Sequence, residues 1–305
     1  MRLSRKLPLA IVTTALASIV LIAVVVHERA HDAMLASESS KLEALRDLKR
    51  SAVLRKFTAI RRELEVAAHG NLARQALTAF IDTFEALPGD RITHLQQHYI
   101  HRNPHGSGQK YRLEDAGDGS AYSRVHATYH SAFRGFVEIG DLYDVFLIDP
   151  DGNVVYTTTK ESDFGTNLLS GPWKDTGLAR VFTRAMDASE SAFGVVFEDF
   201  TSYPPSQNRP AAFYGTPLIS NKGKILGVLV FQIGSDRITG LMGHANAMGE
   251  TGEAYLVGRD GLMRSNSRFE SLPTILGKHV NTEPVKLALK GNREVMSSVN
   301  YRNRR

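Results

Sequence analysis

The chain has no cysteine, and that single absence removes disulfides, thiolate nucleophiles, zinc–thiolate sites and iron–sulfur ligation. It also leaves packing as the only means of holding the fold. No single sign of charge dominates: 37 basic residues face 32 acidic ones and the signs interleave, so the net charge of +5 gives no basic stripe for nucleic acid except at the ends. Neither a G-x-S-x-G elbow, a GxxxxGK[ST] phosphate loop nor an H-E-x-x-H pair is present. Nothing therefore points to an enzyme, and no catalytic residue is expected.

Long hydrophobic runs are also missing, with one exception. Leu7 to Val26 carries no charge, and at about 1.5 Å per residue it matches a bilayer core of about 30 Å. Arg2, Arg5 and Lys6 precede it, so the positive-inside rule places residues 1–6 in the cytoplasm and everything after Val26 outside. The apolar stretch is longer than a signal-peptide core, and its exit (VVVHERAHDAM) lacks a small-x-small cleavage site, which favours an uncleaved anchor at 7–26.

Residues 27–87 contain almost no glycine and no proline. Leu45, Leu48, Val53, Phe57, Ile60, Leu64, Leu77, Phe80 and Phe84 recur at steps of mostly three or four, which predicts a long stalk helix with one weak point near Gly70. A rod of that length cannot bury its apolar stripe against one small domain. Its membrane-near half is expected to pair with the same helix of a second subunit.

After the Pro88-Gly89-Asp90 turn come a short helical stretch (RITHLQQHYIH), a polar loop from Asn103 to Ser120, and a second helix around Ser123 to Ile139. The texture then turns to β. YDVFLIDPDGNVVYTTTK reads as a hairpin about Asp149–Asn153, followed by a loop, a short helix (LARVFTRAM) and three strands: SAFGVVFEDF, PAAFYGTPLI and KILGVLVFQI. This order predicts a five-stranded antiparallel sheet with helices on one side. A shorter copy of the order follows: a helix from Ser235, a hairpin about Arg259-Asp260-Gly261, a helix (TEPVKLALK) and the start of a strand (REVMSSVNYR).

The blocks YDVFLIDPDGNVVYTTTKESDFGTNLLSGPWKDTGLARVF, PAAFYGTPLI with KILGVLVFQI, and GETGEAYLVGRDGLMRSNSRF, in this order behind one span, resemble the double Cache sensor domains of bacterial chemoreceptors, sensor kinases and cyclases. The resemblance implies an α+β fold in which the transmembrane and stalk helices lead into two PAS-like antiparallel-sheet modules, at 88–234 (membrane-distal) and 235–305 (membrane-proximal). It also implies single-pass placement in the inner membrane, a periplasmic bulk, a dimer through the stalk, and a small solute bound in the distal module. Family members complete the second sheet and return through a second transmembrane helix. Here no apolar run of 18 or more follows Val26, so the expectation is a module truncated before that helix, an input half without its output. A coiled-coil scaffold or a receptor remnant is the alternative reading.

The expected ligand-binding residues are Tyr143, Phe146 and Tyr156 on strands, Lys160, Asp163, Trp173 and Lys174 in the loop after the hairpin, and Asp199, Tyr203, Phe213 and Tyr214 on the later strands. Aromatic walls with a few oriented polar groups suit a small-molecule site. Asp163 or Asp199 could hold a cationic amine and Lys160 or Lys174 an organic acid, so the sequence leaves the ligand's charge open. Amino-acid-sensing members of the family use an Arg and a Trp-Tyr pair in that loop, where this chain has Gly171-Pro172-Trp173-Lys174. His94 and His98, and His126 and His130, are each spaced i, i+4. Because no carboxylate lies in the run from His94 to His105, no metal and no cofactor are expected.

Overall fold

The computed structural model describes residues 3–187, 194–243, 248–293, 295, 296, 298 and 300–302, with side chains described from Ala10 onward. One helix, α1, runs unbroken over Leu3–His69, about 100 Å at ~1.5 Å per residue. It carries a segment long and apolar enough to cross a membrane, and Ile11, Leu16, Ile19, Leu21 and Val26 on it are exposed. The expected weak point is real. Gly70 adopts an extended conformation that ends α1 and starts α2 (Asn71–Glu85).

The distal part of α1 (Ile60, Leu64), α2 (Leu77, Phe80, Phe84) and α4 (Ala121–Glu138: Tyr122, Phe133) form one side of the main core. They lie on a five-stranded antiparallel sheet of β1 (Asp144–Ile148), β2 (Val154–Thr157), β3 (Val196–Tyr203), β4 (Arg209–Ile219) and β5 (Ile225–Gly234), in the order β2-β1-β5-β4-β3. Alternate strand residues point to opposite faces. Val145, Leu147, Leu229 and Phe231 face this helical layer, whereas Phe146, Ile148, Val228 and Val230 face the other way.

That other face corrects the sequence expectation of helices on one side. It is covered by α5 (Gly177–Met186), whose Leu178, Val181 and Phe182 build a second core with Val154, Tyr203 and Phe213. A sheet covered on both faces explains why DVFLI and VLVFQI are nearly continuous apolar runs instead of alternating ones. Gly227, in the left-handed region at φ 145°, allows the closest approach in this layer. A Cβ there would lie 2.2 Å from the Ile148 carbonyl oxygen and 2.9 Å from Leu77 Cδ2.

Local signals behave as the residues dictate. Asp149 accepts from the Asn153 backbone N–H (2.8 Å) and its Nδ2 (2.7 Å), closing the β1–β2 turn, and Gly152 supplies φ 89°. Ser120 caps α4 by accepting from Ser123 N–H, and Thr176 caps α5 by accepting from Ala179 N–H. RITHLQQHYIH forms α3 (Arg91–Gln96), capped by Asp90, running into a π-helical turn at Gln97–His101.

The segment after β5 holds α6 (Ser235–Gly243), α7 (Glu283–Leu289) and isolated bridges Val257–Met263 and Leu262–His279 where a regular hairpin was expected. Two short strands lacking a third neighbour are marginal, which accounts for the difference. The expected continuation of the Ser235 helix through 244–247 lies outside the described residues, as do 294, 297 and 299 of the expected strand REVMSSVNYR. Where that stretch is described, Tyr301 anchors it, donating to Glu253 (2.6 Å) and meeting Ser267 Oγ at 2.7 Å. α6 is tied to the stalk: buried Lys49 of α1 donates to the Leu241 carbonyl at 2.8 Å.

Candidate functional site

A cavity of about 660 Å³ opens between the end of α4, the loop 103–120, the start of β1, the strap 159–162, the β3–β4 turn and α6. Its wall includes Tyr111, Glu138, Tyr143, Lys160, Glu161 and Arg209, with Lys110 and Arg237 beside them. The strap is shaped by Asp144, the first residue of β1 and fully buried. Its carboxylate accepts from the Thr158 and Thr159 backbone N–H groups (2.8 and 3.0 Å) and from the hydroxyls of Thr157 (2.5 Å) and Thr159. This fold of the strap puts Lys160 at φ 59° and turns its side chain inward.

Lys160 exposes no surface. Its Nζ donates to the Thr158 carbonyl (3.0 Å) and lies 3.3 Å from His130 Nε2. Burial pushes the ammonium down to about 7, against the upward pull of the Asp144 carboxylate, and Arg134 lowers it further. Next to it, burial lifts Glu161 to about 7, although Ser206 (2.5 Å) and Tyr143 (2.7 Å) donate to its two oxygens. The cavity thus holds two groups that titrate near neutrality, behind a mouth where Arg209 and Arg237 are exposed and Lys110 is half-buried. Arg237 pairs with Asp141 at 2.7 Å, and Asp141 also pairs with Lys56 of the stalk at 3.1 Å.

Of the residues expected from sequence, Tyr143 and Lys160 meet in this cavity. Phe146, Tyr203 and Phe213 pack in the core under α5. Tyr156 lies in the opposite core, its hydroxyl 2.7 Å from His130 Nδ1. Tyr214 packs on Phe57 and Phe197 against the stalk. Asp163 is fully buried and accepts from the Tyr203 hydroxyl at 2.5 Å. Burial lifts its pKa well above the carboxylate range, and the Glu161 and Asp144 charges add to this. Trp173 is half-buried and donates its indole N–H to the Ser162 carbonyl (3.1 Å), while Lys174 is exposed. Asp199 is half-exposed and pairs with Arg264 of the following segment at 3.0 Å.

Tyr111, Glu161, Arg209 and Arg237 were not anticipated. Glu161 was legible in principle, because it adjoins Lys160 in the loop after the hairpin. The other three come from distant segments with no local signature.

A long helix leading into an antiparallel β2-β1-β5-β4-β3 sheet covered by helices on both faces is consistent with the PAS-like module that the sequence resemblance implies. No family model and no curated protein matches the chain. Among solved structures it is similar to the Vibrio cholerae histidine kinase DctB sensor domain (14% identity, 84% of this chain and 74% of that one, TM-score 0.46). It is also similar to the Campylobacter jejuni chemoreceptor Tlp3 sensory domain with isoleucine bound (13%, 80% and 85%, TM-score 0.38). A third is the Pseudomonas fluorescens chemoreceptor CtaA ligand-binding domain in complex with L-serine (15%, 70% and 76%, TM-score 0.33).

Proposed function

We propose that this chain is the membrane-anchored, extracytoplasmic sensing segment of a signal-transduction receptor, and that its ligand is a small organic acid held in the cavity around Lys160. The observation that carries the reading is the placement of charge. The two carboxylates that the sequence offered for an amine are engaged elsewhere, Asp163 buried against Tyr203 and Asp199 paired with Arg264, and Glu138 of the cavity wall is paired with Arg134 at 3.6 Å. The cavity instead gathers Lys110, Lys160, Arg209 and Arg237, while the charge of Glu161 is reduced by its raised pKa. A carboxylate entering this mouth gains charge-assisted hydrogen bonds. No catalytic step is assigned to the chain.

Coupling to the stalk would run through Arg237. An anion in the cavity competes with Asp141 for that guanidinium, and Asp141 is also the partner of Lys56 on α1. α6, which carries Arg237, is hooked to α1 by Lys49 as well. Ligand affinity that differs between the paired and released arrangements would shift the stalk, and with it a partner helix in a dimer. The exposed apolar residues Met34, Leu35, Leu42, Leu48 and Leu54 on the membrane-near stalk support that pairing. The apolar stretch ahead of them would be the anchor.

A thermal melt of the full chain in detergent, with panels of mono- and dicarboxylates, amino acids, amines and purines near 1 mM, tests the reading. Carboxylates should raise the midpoint by mass action, and the shift should shrink in Arg209→Gln. A shift confined to amines or purines would overturn the assignment.

A further inference from the structure

We propose that His94, His98 and Asp118 form a binding site for a divalent transition-metal ion, Zn2+ being the best chemical fit. The site is separate from the ligand cavity and does not depend on the organic-acid reading. His94 lies on α3, and His98 lies one turn on, at the start of the π-helical turn. Their rings stand 4.6 Å apart at 30°. Asp118 comes from the loop before α4, 24 residues from His94, and its Oδ2 meets His94 Nε2 at 2.8 Å. One donor atom from each of the three residues lies within 4.8 Å of the others. Tetrahedral zinc with bonds of ~2.0–2.1 Å sets its donors about 3.3 Å apart, so small side-chain rotations would seat the ion.

The carboxylate is prepared for the task. Its side chain is only 3% exposed, and Oδ1 accepts from the Ser120 backbone N–H at 3.0 Å, which leaves Oδ2 directed at His94. The His98 side chain makes no hydrogen bond to any described residue, so its ring nitrogens are available. Two imidazoles and one carboxylate with a fourth position open to water is a donor set for Zn2+ and its neighbours, not for Ca2+ or Mg2+.

The three residues also bracket the loop 103–120. That loop contributes Ser107, Lys110 and Tyr111 to the cavity wall, so a bound ion would clamp α3 to the base of the loop.

The test is cobalt substitution in the full chain in detergent at pH 7.5, reading the visible d–d absorption and the metal retained after dialysis. The expected result is one Co2+ per chain, displaced by Zn2+ and left in place by Mg2+. Affinity should fall about tenfold or more in His98→Gln and in Asp118→Asn. His101→Gln and His105→Gln should bind as the wild type does. His98→Gln is the decisive variant, because its ring makes no hydrogen bond to any described residue and the metal-free melt, run alongside, separates lost metal binding from lost folding. Equal binding in the wild type and His98→Gln, or no retained metal in the wild type, would overturn the proposal.

Discussion

The Lys160 ammonium lies 3.3 Å from the His130 imidazole, and neither residue has any exposed surface. A lysine placed this way, with a neutral ring beside it and its Asp144 counter-charge already taking five hydroxyl and amide donors, destabilises the folded chain. Such costs persist at binding sites. Lys160→Met should therefore raise unfolding free energy at pH 7 by about 1–4 kcal/mol in denaturant titrations, and weaken carboxylate binding in the same protein.

The pH profile of binding follows from the same wall. Bound anion favours charged Lys160 and neutral Glu161, so binding takes up protons at both groups. Each sits at about 7 in the free protein, and their titratable or charged neighbours include Asp144, His130, Arg134, Tyr143, Tyr156, Asp163 and Arg209. Affinity for a fully ionised acid should be flat below about pH 6 and fall above pH 7, by up to about tenfold per unit for each group. Lys160→Met should halve the slope of the decline in calorimetric titrations between pH 6 and 8.5, leaving the part due to Glu161.

Acid stability reports on the histidine pair. His130 is held down to about 3 by burial first and by Lys160 next, and burial holds His126, stacked on it at 4.4 Å, well below its ordinary value. A folded pKa below the unfolded one means that the unfolded chain takes the proton first. The contribution is complete above about pH 6.5 and is lost progressively as pH falls toward 3, a few kcal/mol in all. Urea titrations should show that loss in the wild type and a shallower one in His130→Gln.

Arg264 ties the last segment to the sheet, bridging Asp199 (3.0 Å) and Asp260 (2.9 Å) while itself only 6% exposed. Removing the buried partner strands its hydrogen bonds, so Arg264→Ala should cost about 1–3 kcal/mol and expose residues 248–293 to protease. Asp199→Ala, on the half-exposed side of the pair, should cost under about 1 kcal/mol and leave ligand binding unchanged.

How far the sequence could be read depended on whether a signal was local. The stalk, its break at Gly70, the Asp149–Asn153 turn and the three later strands all carry their cause within a few residues. The second helical cover was missed because α5 is ten residues long and its stripe does not say which face of the sheet it will take. Among the aromatics expected as ligand contacts, Phe146 and Phe213 lie in the core under α5, where they alternate just as core residues do. Convergence across the chain was invisible. The cavity joins Lys110, Tyr143, Lys160, Arg209 and Arg237, and Asp118 reaches His94 across 24 residues, as no spacing rule within the His94–His105 run could indicate.

The most direct test of the central claim is calorimetric titration of the full chain, at pH 6.5, with the carboxylate that raises the melting midpoint most. The account predicts one site per chain, weakened tenfold or more (about 1.4 kcal/mol or more) by Arg209→Gln and by Tyr143→Ala, and unchanged by Trp173→Ala and Asp199→Ala. Binding that survives the first two substitutions and disappears with the second two would contradict it.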